Sequence, residues 1–150
     1  GEGQWMDISM VDCLFAMHEM NLQVPQVNPE YQPRRMGNHH HLICPCGVFR
    51  SPQGHIAILV VQNQWRNMCR AMERPDLETD ARFADGAARA RNQAELIPLI
   101  EAWLLAQPDD ATALAKLEEH RVPSSPVLAP TDALTHPYFV GRGALRPVPD

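Results

Sequence analysis

The chain has 150 residues, enough for one domain with a sizeable core, and 45% apolar with 21% charged residues is an ordinary globular composition. A formal net charge of −5, without any cluster of Lys or Arg, argues against nucleic acid as a partner. The longest apolar run covers residues 56–61, far short of the roughly 18 residues that a membrane span requires.

The first third of the chain is predicted to hold one helix and one irregular segment. Apolar side chains recur at helical spacing between Met6 and Asn21, which predicts a helix there. The stretch from residue 23 to residue 46 has four prolines and no period. Because so long a structureless run is unusual inside a compact domain, we interpret 23–45 as a linker or a functional loop.

A β-hairpin is the clearest local prediction. Gly47–Arg50 is the first strand, Ser51–Gly54 has proline and glycine at turn positions, and His55–Val61 is the return strand. The return strand is apolar on both faces, so we expect it to be buried. The hairpin is therefore placed in the core of a small domain.

Helices are predicted after the hairpin. Asn63–Glu73 has an apolar stripe at helical spacing. Asn92 is a predicted N-cap, with Glu95 completing a capping box for a helix that continues to about residue 106. Pro98 lies inside this pattern, so the helix is expected to kink or restart there.

The C-terminal part is proline-rich again. A helix capped by Asp109 or Asp110 precedes an extended segment over Val122–Leu128, a helical turn over Thr131–Leu134 and a strand over Gly143–Val148. The predicted fold class is therefore α+β. A buried β-hairpin or antiparallel sheet is packed by several helices, and a helix and a long proline-rich linker precede it.

Several motifs, taken in order, resemble one enzyme family. Gly-Glu-Gly-Gln-Trp-Met-Asp-Ile-Ser stands at 1–9, Met-Gly-Asn-His at 36–39 and Pro-Cys-Gly-Val-Phe at 45–49. Arg-Pro-Asp-Leu follows at 74–77, and Val-Pro-Ser-Ser-Pro-Val at 122–127. The ordered set covers nearly the whole chain and resembles the class III CoA-transferases, the family of formyl-CoA and carnitine CoA-transferases and α-methylacyl-CoA racemases.

The resemblance implies a longer parent enzyme with a large Rossmann-like domain, a smaller α+β domain and two chains interlocked as a homodimer. The implied divisions are a large-domain helix (1–22), a linker or active-site loop (23–45), the small α+β domain (46–128) and a return linker (129–150). Acyl-CoA and a small carboxylic acid are the implied partners. Coenzyme A is a substrate, no cofactor is covalently bound, and the enzyme is carnitine dehydratase-like and cytoplasmic.

The family's transferases use an aspartate that attacks the acyl-CoA and passes through thioester intermediates. That aspartate lies upstream of the segment matching 1–9. The nucleophile is therefore expected outside this chain, no catalytic residue is assigned within it, and the fragment alone is expected to be inactive. Asp7 and Asp12 match helix positions and are expected to be ordinary surface carboxylates.

Four residues match positions near the family's CoA or substrate. Met10 lies on a helix position that can line the CoA pocket, with a core role as the alternative. Gly37 and Asn38 match a flexible loop over the active site, where glycine permits backbone approach; a plain turn is the alternative. His39 is a candidate contact for a substrate carboxylate or phosphate.

Gln62 stands where the racemase branch has a glutamate, at the end of the second hairpin strand. An amide cannot take up a proton at neutral pH as a general base must. This replacement of the racemase acid counts against α-proton racemisation and favours CoA transfer. Cys46 replaces the tyrosine usual in the hairpin motif and is expected to be a small buried hydrophobe.

The three histidines at 39–41, with Cys44 and Cys46, include ligand types that suit zinc. Adjacent residues of an extended loop point in different directions and no second ligand pair completes a site, so we predict no metal. The cysteines form no dense framework and are expected to be reduced thiols.

The tryptophans are expected in packing roles. Three arginines are expected on a solvated helical face, with CoA phosphates as the alternative ligands: Arg82, Arg89 and Arg91. The predicted function is that of a CoA-transferase fragment, moving CoA between an acyl-CoA and a carboxylic acid through an aspartyl thioester. The alternatives are the acyl-CoA racemase or isomerase branch of the family and a stand-alone binding module.

Overall fold

The chain divides into two units, Gly1–Arg35 and Met36–Asp150, in a computed structural model that describes residues 1–144. The first unit contains helices α1 (Met10–Met17) and α2 (Glu19–Val27). The prediction of one helix over 6–21 is wrong at both ends. Ser9 is the N-cap, because its hydroxyl accepts a hydrogen bond from the Asp12 amide at 3.4 Å. The second helix extends into the proline-rich stretch and contains a proline.

A three-stranded antiparallel sheet organises the second unit, in the order β1-β2-β3. The strands are β1 (Cys46–Ser51), β2 (Gly54–Leu59) and β3 (Ser124–Pro126). The predicted hairpin is confirmed, with Phe49 opposite Ile56. The prediction that both faces of the return strand are buried is wrong, because Ile56 and Ile58 are buried while Leu59 is 44% exposed. The sheet covers its core with one face, as antiparallel sheets commonly do.

Short helices pack around this sheet. A 3₁₀ turn at Gln62–Gln64 replaces the first turn of the predicted helix 63–73. The α-helices that follow are α3 (Trp65–Ala71), α4 (Asp76–Thr79), α5 (Gly86–Arg91), α6 (Gln93–Leu105), α7 (Asp110–Glu119), α8 (Pro130–Ala133) and α9 (Pro137–Gly141). The predicted strand over Gly143–Val148 lies, from residue 145 on, outside the described residues. No helix in residues 1–144 is both long and apolar enough to cross a membrane.

The two predicted helix caps have different outcomes. Asp109 caps α7, accepting a hydrogen bond from the Thr112 amide at 2.7 Å. The capping box at Asn92 is wrong: its amide nitrogen donates to the carbonyls of Arg82 and Ala88, both at 3.0 Å. One acceptor in α5 and one before it thus compete with the role of a side-chain cap. Helix α6 continues through its proline without a restart.

The core is one cluster beneath the sheet. Phe49 and Ile56 of the hairpin are fully buried with Ile100 of α6 and Leu117 of α7. Of the tryptophans, Trp65 is buried in this cluster, Trp103 packs partly buried against it, and the first unit's tryptophan, at position 5, is 89% exposed. The prediction of a packing role is therefore wrong for the tryptophan of the first unit.

An ion pair connects α6 to β1. Glu101, whose side chain is 12% exposed, accepts from Arg50 Nε at 2.8 Å and Nη2 at 2.6 Å, and from the Arg50 amide at 3.1 Å. These bonds hold the pKa of Glu101 below its ordinary value, and the side-chain bond from Arg50 has the largest effect.

A carboxyl whose pKa is lowered by folding stabilises the fold above its unfolded pKa, and that stabilisation is lost as the pH falls through the lowered value. We expect Glu101→Gln to cost about 1 kcal/mol of unfolding free energy at pH 7, since the arginine is largely exposed. At a pH below the lowered pKa of Glu101 the variant and the parent chain should converge. Urea denaturation at both pH values measures this, and an equal loss at both would contradict it.

Candidate functional site

A cleft of about 140 Å³ opens in the second unit beside the end of the hairpin. We call it the arginine cleft. Its walls come from the loop before β1, from the residues after β2, and from helix α5. The lining residues are Leu42, Ile43, Cys44, Val60, Val61, Gln62, Gly86 and Arg89.

Arg89 is the charged wall of the arginine cleft and is only 1% exposed. Its Nε donates to the Cys44 carbonyl, its Nη1 to the Phe83 carbonyl and its Nη2 to Gln62 Oε1, each at 2.9 Å. The guanidinium also stacks over the Trp65 ring at 4.7 Å. One side chain thereby joins the loop, the hairpin end and two helices.

The prediction that Arg89 lies on a solvated helical face is wrong. Helix α5 has only six residues, and it turns Ala88 and Arg89 toward the core. Arg91 is exposed, and Arg82 is exposed with carboxylate partners in Asp80 and Glu95. In so short a helix the sequence has no apolar period from which the inward face could have been recognised.

Burial works against the positive charge of Arg89. Its pKa is lowered, first by desolvation, while Cys44, Cys69 and Asp85 act in the opposite direction. Burial also raises the pKa of the Cys44 and Cys69 thiols, each to about 12, so both thiols are neutral at physiological pH. Thiols in this state are poor nucleophiles.

Gln62 has a fixed amide orientation in the arginine cleft. Arginine has only donors, so the oxygen of the amide must face Arg89. The nitrogen then donates to the Ala84 carbonyl at 3.3 Å. A glutamate in the same position would direct one carboxylate oxygen at a carbonyl oxygen, which is repulsive. The amide satisfies both neighbours at once, because its oxygen accepts from Arg89 and its nitrogen donates to Ala84.

The loop before the hairpin is attached to β1 by backbone hydrogen bonds. The Asn38 carbonyl accepts from the Val48 amide at 2.9 Å, and the His40 amide donates to the Cys46 carbonyl at 2.8 Å. The His40 ring then accepts from two amides of its own loop. Cys46 is half-buried, not fully buried as expected.

His39 points onto the hairpin. Its ring meets Phe49 edge-on, with centroids 4.8 Å apart, and its Nδ1 is buried without a hydrogen-bond partner. Desolvation lowers the pKa of His39, opposed by Glu101. In this environment the ring packs as an aromatic group.

The predicted site residues do not all come together. Gln62 lines the arginine cleft, whereas Gly37, Asn38 and His39 lie in the attached loop, outside its lining. Gly37 has a φ of +64°, a left-handed turn that favours glycine. Met10 belongs to the first unit and is 83% exposed. Among residues 1–144 no group of three His, Cys, Asp or Glu side chains is arranged to hold a metal ion.

Comparison with known proteins identifies related chains. A succinyl-CoA:mesaconate CoA-transferase of Haloarcula marismortui is 34% identical over 149 residues, which are 99% of this chain and 36% of that protein. A succinyl-CoA–D-citramalate CoA-transferase of Chloroflexus aurantiacus is 29% identical over 100% of this chain and 37% of its own length. The chain therefore spans little more than a third of these relatives.

The fold has a solved counterpart. The structure of a CAIB/BAIF family protein from Brucella suis matches with a TM-score of 0.71 at 28% identity, over 95% of this chain and 37% of that one. This likeness confirms the predicted α+β class. The family model described as CoA-transferase family III matches residues 1–150. The predicted resemblance is thus confirmed along the whole sequence, and the chain belongs to CoA-transferase family III.

Proposed function

We propose that the protein containing this chain is a CoA-transferase that moves CoA from an acyl-CoA to a small dicarboxylic acid. The observation that carries the proposal is the similarity, along essentially the whole chain, to an enzyme that acts on succinyl-CoA and mesaconate. The relative that acts on succinyl-CoA and D-citramalate supports the same substrate class. In each of these names the acceptor is a short dicarboxylic acid.

The chemistry of the arginine cleft supports transfer over proton abstraction. Gln62 presents an amide, which cannot accept a proton at neutral pH. Its oxygen is already bonded to Arg89 at 2.9 Å. The cleft therefore has no general base at the position where the racemase branch is expected to have one.

The transfer assay uses the full-length protein that contains this chain. With succinyl-CoA and mesaconate, we expect mesaconyl-CoA to form in step with the loss of succinyl-CoA, without accumulation of free CoA. Separation of the thioesters by liquid chromatography measures all three. Release of free CoA and succinate alone would indicate a hydrolase and would contradict the proposal.

We further propose that the nucleophile is an aspartate outside residues 1–150, which forms a thioester during the reaction. Asp7 and Asp12 are exposed on the first unit, which supports reading them as ordinary surface carboxylates. Borohydride reduction of the full-length protein after incubation with acyl-CoA marks the thioester. Peptide mapping should place the reduced aspartate outside this chain, and a reduced Asp7 or Asp12 would contradict this.

An interlocked homodimer in the cytoplasm completes the proposal. All four cysteines are free thiols, which supports a reducing compartment. Light scattering on the full-length protein should give twice the mass of one chain. A monomer at micromolar concentration would contradict the interlocked arrangement, since linked chains cannot separate by dilution alone.

A further inference from the structure

The arginine cleft contains hydrogen-bond donors that the fold does not use. Three nitrogens of Arg89 each donate one bond within the described part of the chain. A guanidinium has five N–H groups, one on Nε and two on each Nη, so Nη1 and Nη2 each retain one. Gln62 Nε2 also retains one after donating to the Ala84 carbonyl. Of these three unused donors, those on Arg89 Nη2 and Gln62 Nε2 are neighbours, because Nη2 bonds the same amide group to which Nε2 belongs.

The charge of Arg89 also has no direct partner. None of the ion pairs within residues 1–144 includes it. Asp85 acts on Arg89 through space without contacting it, and one of its carboxylate oxygens accepts from the Ala88 amide at 2.7 Å. The neighbouring thiols of Cys44 and Cys69 are neutral because burial raises their pKa. A buried cation that is not directly paired with an anion is costly to a fold.

Gly86 leaves space beside the Arg89 and Gln62 side chains. A Cβ placed on Gly86 would lie 3.8 Å from Arg89 Nη2 and 3.7 Å from Gln62 Oε1, both ordinary contact distances. Because Gly86 has no side chain, the space beside these two groups is open. All three residues line the arginine cleft, so a ligand in it meets the donors.

The size and walls of the arginine cleft restrict the ligand. Its volume of about 140 Å³ is well below the roughly 300–1,000 Å³ of sites for larger ligands, so CoA itself does not fit. Leu42, Ile43 and Val60 provide apolar walls, which suit a short aliphatic chain. The chemistry that matches is a small carboxylate with few carbons.

We propose that the arginine cleft binds the second, non-reacting carboxylate of the dicarboxylic acid, with its oxygens accepting from Arg89 Nη2 and Gln62 Nε2. The assignment rests on the proposed function and names the group by which this chain selects its acid. The carboxylate supplies the counter-charge that Arg89 lacks. A charge-assisted bond from arginine to carboxylate is among the stronger hydrogen bonds in proteins.

The test compares two acids that differ in that carboxylate alone. Succinate and butyrate have the same chain length, and calorimetric titration of the full-length protein gives the affinity of each. We expect succinate to bind at least tenfold more tightly than butyrate. Equal affinities would overturn the proposal, including the case in which another part of the protein covers the cleft.

Two variants locate the preference. Gly86→Ala places a methyl group over the donors at a tolerated distance, and Gln62→Glu adds a competing carboxylate beside Arg89. Each should reduce the preference for succinate over butyrate to about twofold or less. Asn63→Asp adds the same charge at the next, exposed position and should retain the tenfold preference. Circular dichroism verifies that each variant is folded. If Gln62→Glu does not fold, Gly86→Ala still tests the site.

The outcomes separate this inference from the proposed function. A preference that survives both Gly86→Ala and Gln62→Glu would place the carboxylate elsewhere and overturn the inference, whatever the transfer assay shows. If the preference is lost in both variants but the parent protein transfers no CoA, the cleft binds the acid as proposed and the proposed function fails.

Discussion

Replacing Arg89 with methionine is expected to cost about 3 kcal/mol of unfolding free energy. Methionine has a similar length but no donors, so the carbonyls of Cys44 and Phe83 lose their partners in the interior. A buried acceptor left without a partner costs roughly 1–3 kcal/mol. Removing the charge recovers part of its desolvation cost, but the two carbonyls together outweigh that gain. Urea denaturation followed by tryptophan fluorescence measures the difference.

Arg82→Met is the matched control. Arg82 makes more charged contacts than Arg89, with Asp80 and Glu95, but its side chain is 52% exposed. Exposed ion pairs contribute roughly 0–1 kcal/mol, so this variant should lose less than about 1 kcal/mol. Equal losses for the two arginine variants would show that burial at position 89 does not organise the cleft.

Gly47→Ala is expected to cost about 2–3 kcal/mol and to detach the loop from β1. An added Cβ would lie 2.9 Å from His39 Cα and 2.6 Å from its Nδ1, with the Asn38 carbonyl oxygen closer still. Backbone atoms cannot rotate away, so the loop and the strand must separate. Hydrogen exchange should accelerate at the Val48 and His40 amides, which cross this contact.

Gly54→Ala separates the clash from the backbone conformation. Gly54 has a φ of +153°, almost the same as the +156° of Gly47, but nothing lies within 4 Å of its added Cβ. The conformational cost is the same in both alanine variants, so the additional loss of unfolding free energy in Gly47→Ala measures the contact with the loop. Similar losses, with unchanged exchange at the loop amides, would contradict a close fit between loop and strand.

Local patterns were enough to predict the hairpin and the cap of α7. Proline and glycine at the Ser51–Gly54 turn and the aspartate before α7 act through neighbouring backbone atoms, and the structure contains both features. The position of Gln62 at the hairpin end followed from aligned motifs. Its amide bonds in the arginine cleft did not, because the partner atoms belong to Ala84 and Arg89, more than twenty residues away.

Arg89 was the feature that sequence analysis missed. An arginine among alanines is typical of an exposed helix, and its burial depends on acceptors from the loop and a stacking surface from α3. Asn92 occupies the N-cap position of α6 as predicted, but its side chain does not cap the helix, because it bonds the carbonyls of residues 82 and 88 instead. The burial of Arg89 and the bonds of Asn92 are decided by tertiary contacts, which cannot be inferred from composition or from the spacing of apolar residues.

The most direct test of the account is one reaction in heavy water. The full-length protein is incubated in D2O with succinyl-CoA and mesaconate, and every thioester is analysed by mass spectrometry. Because Gln62 offers no base, we predict mesaconyl-CoA as product and no deuterium in the recovered succinyl-CoA. Deuterium at the carbon next to the thioester, without any mesaconyl-CoA, would contradict a transferase and assign the protein to the racemase branch.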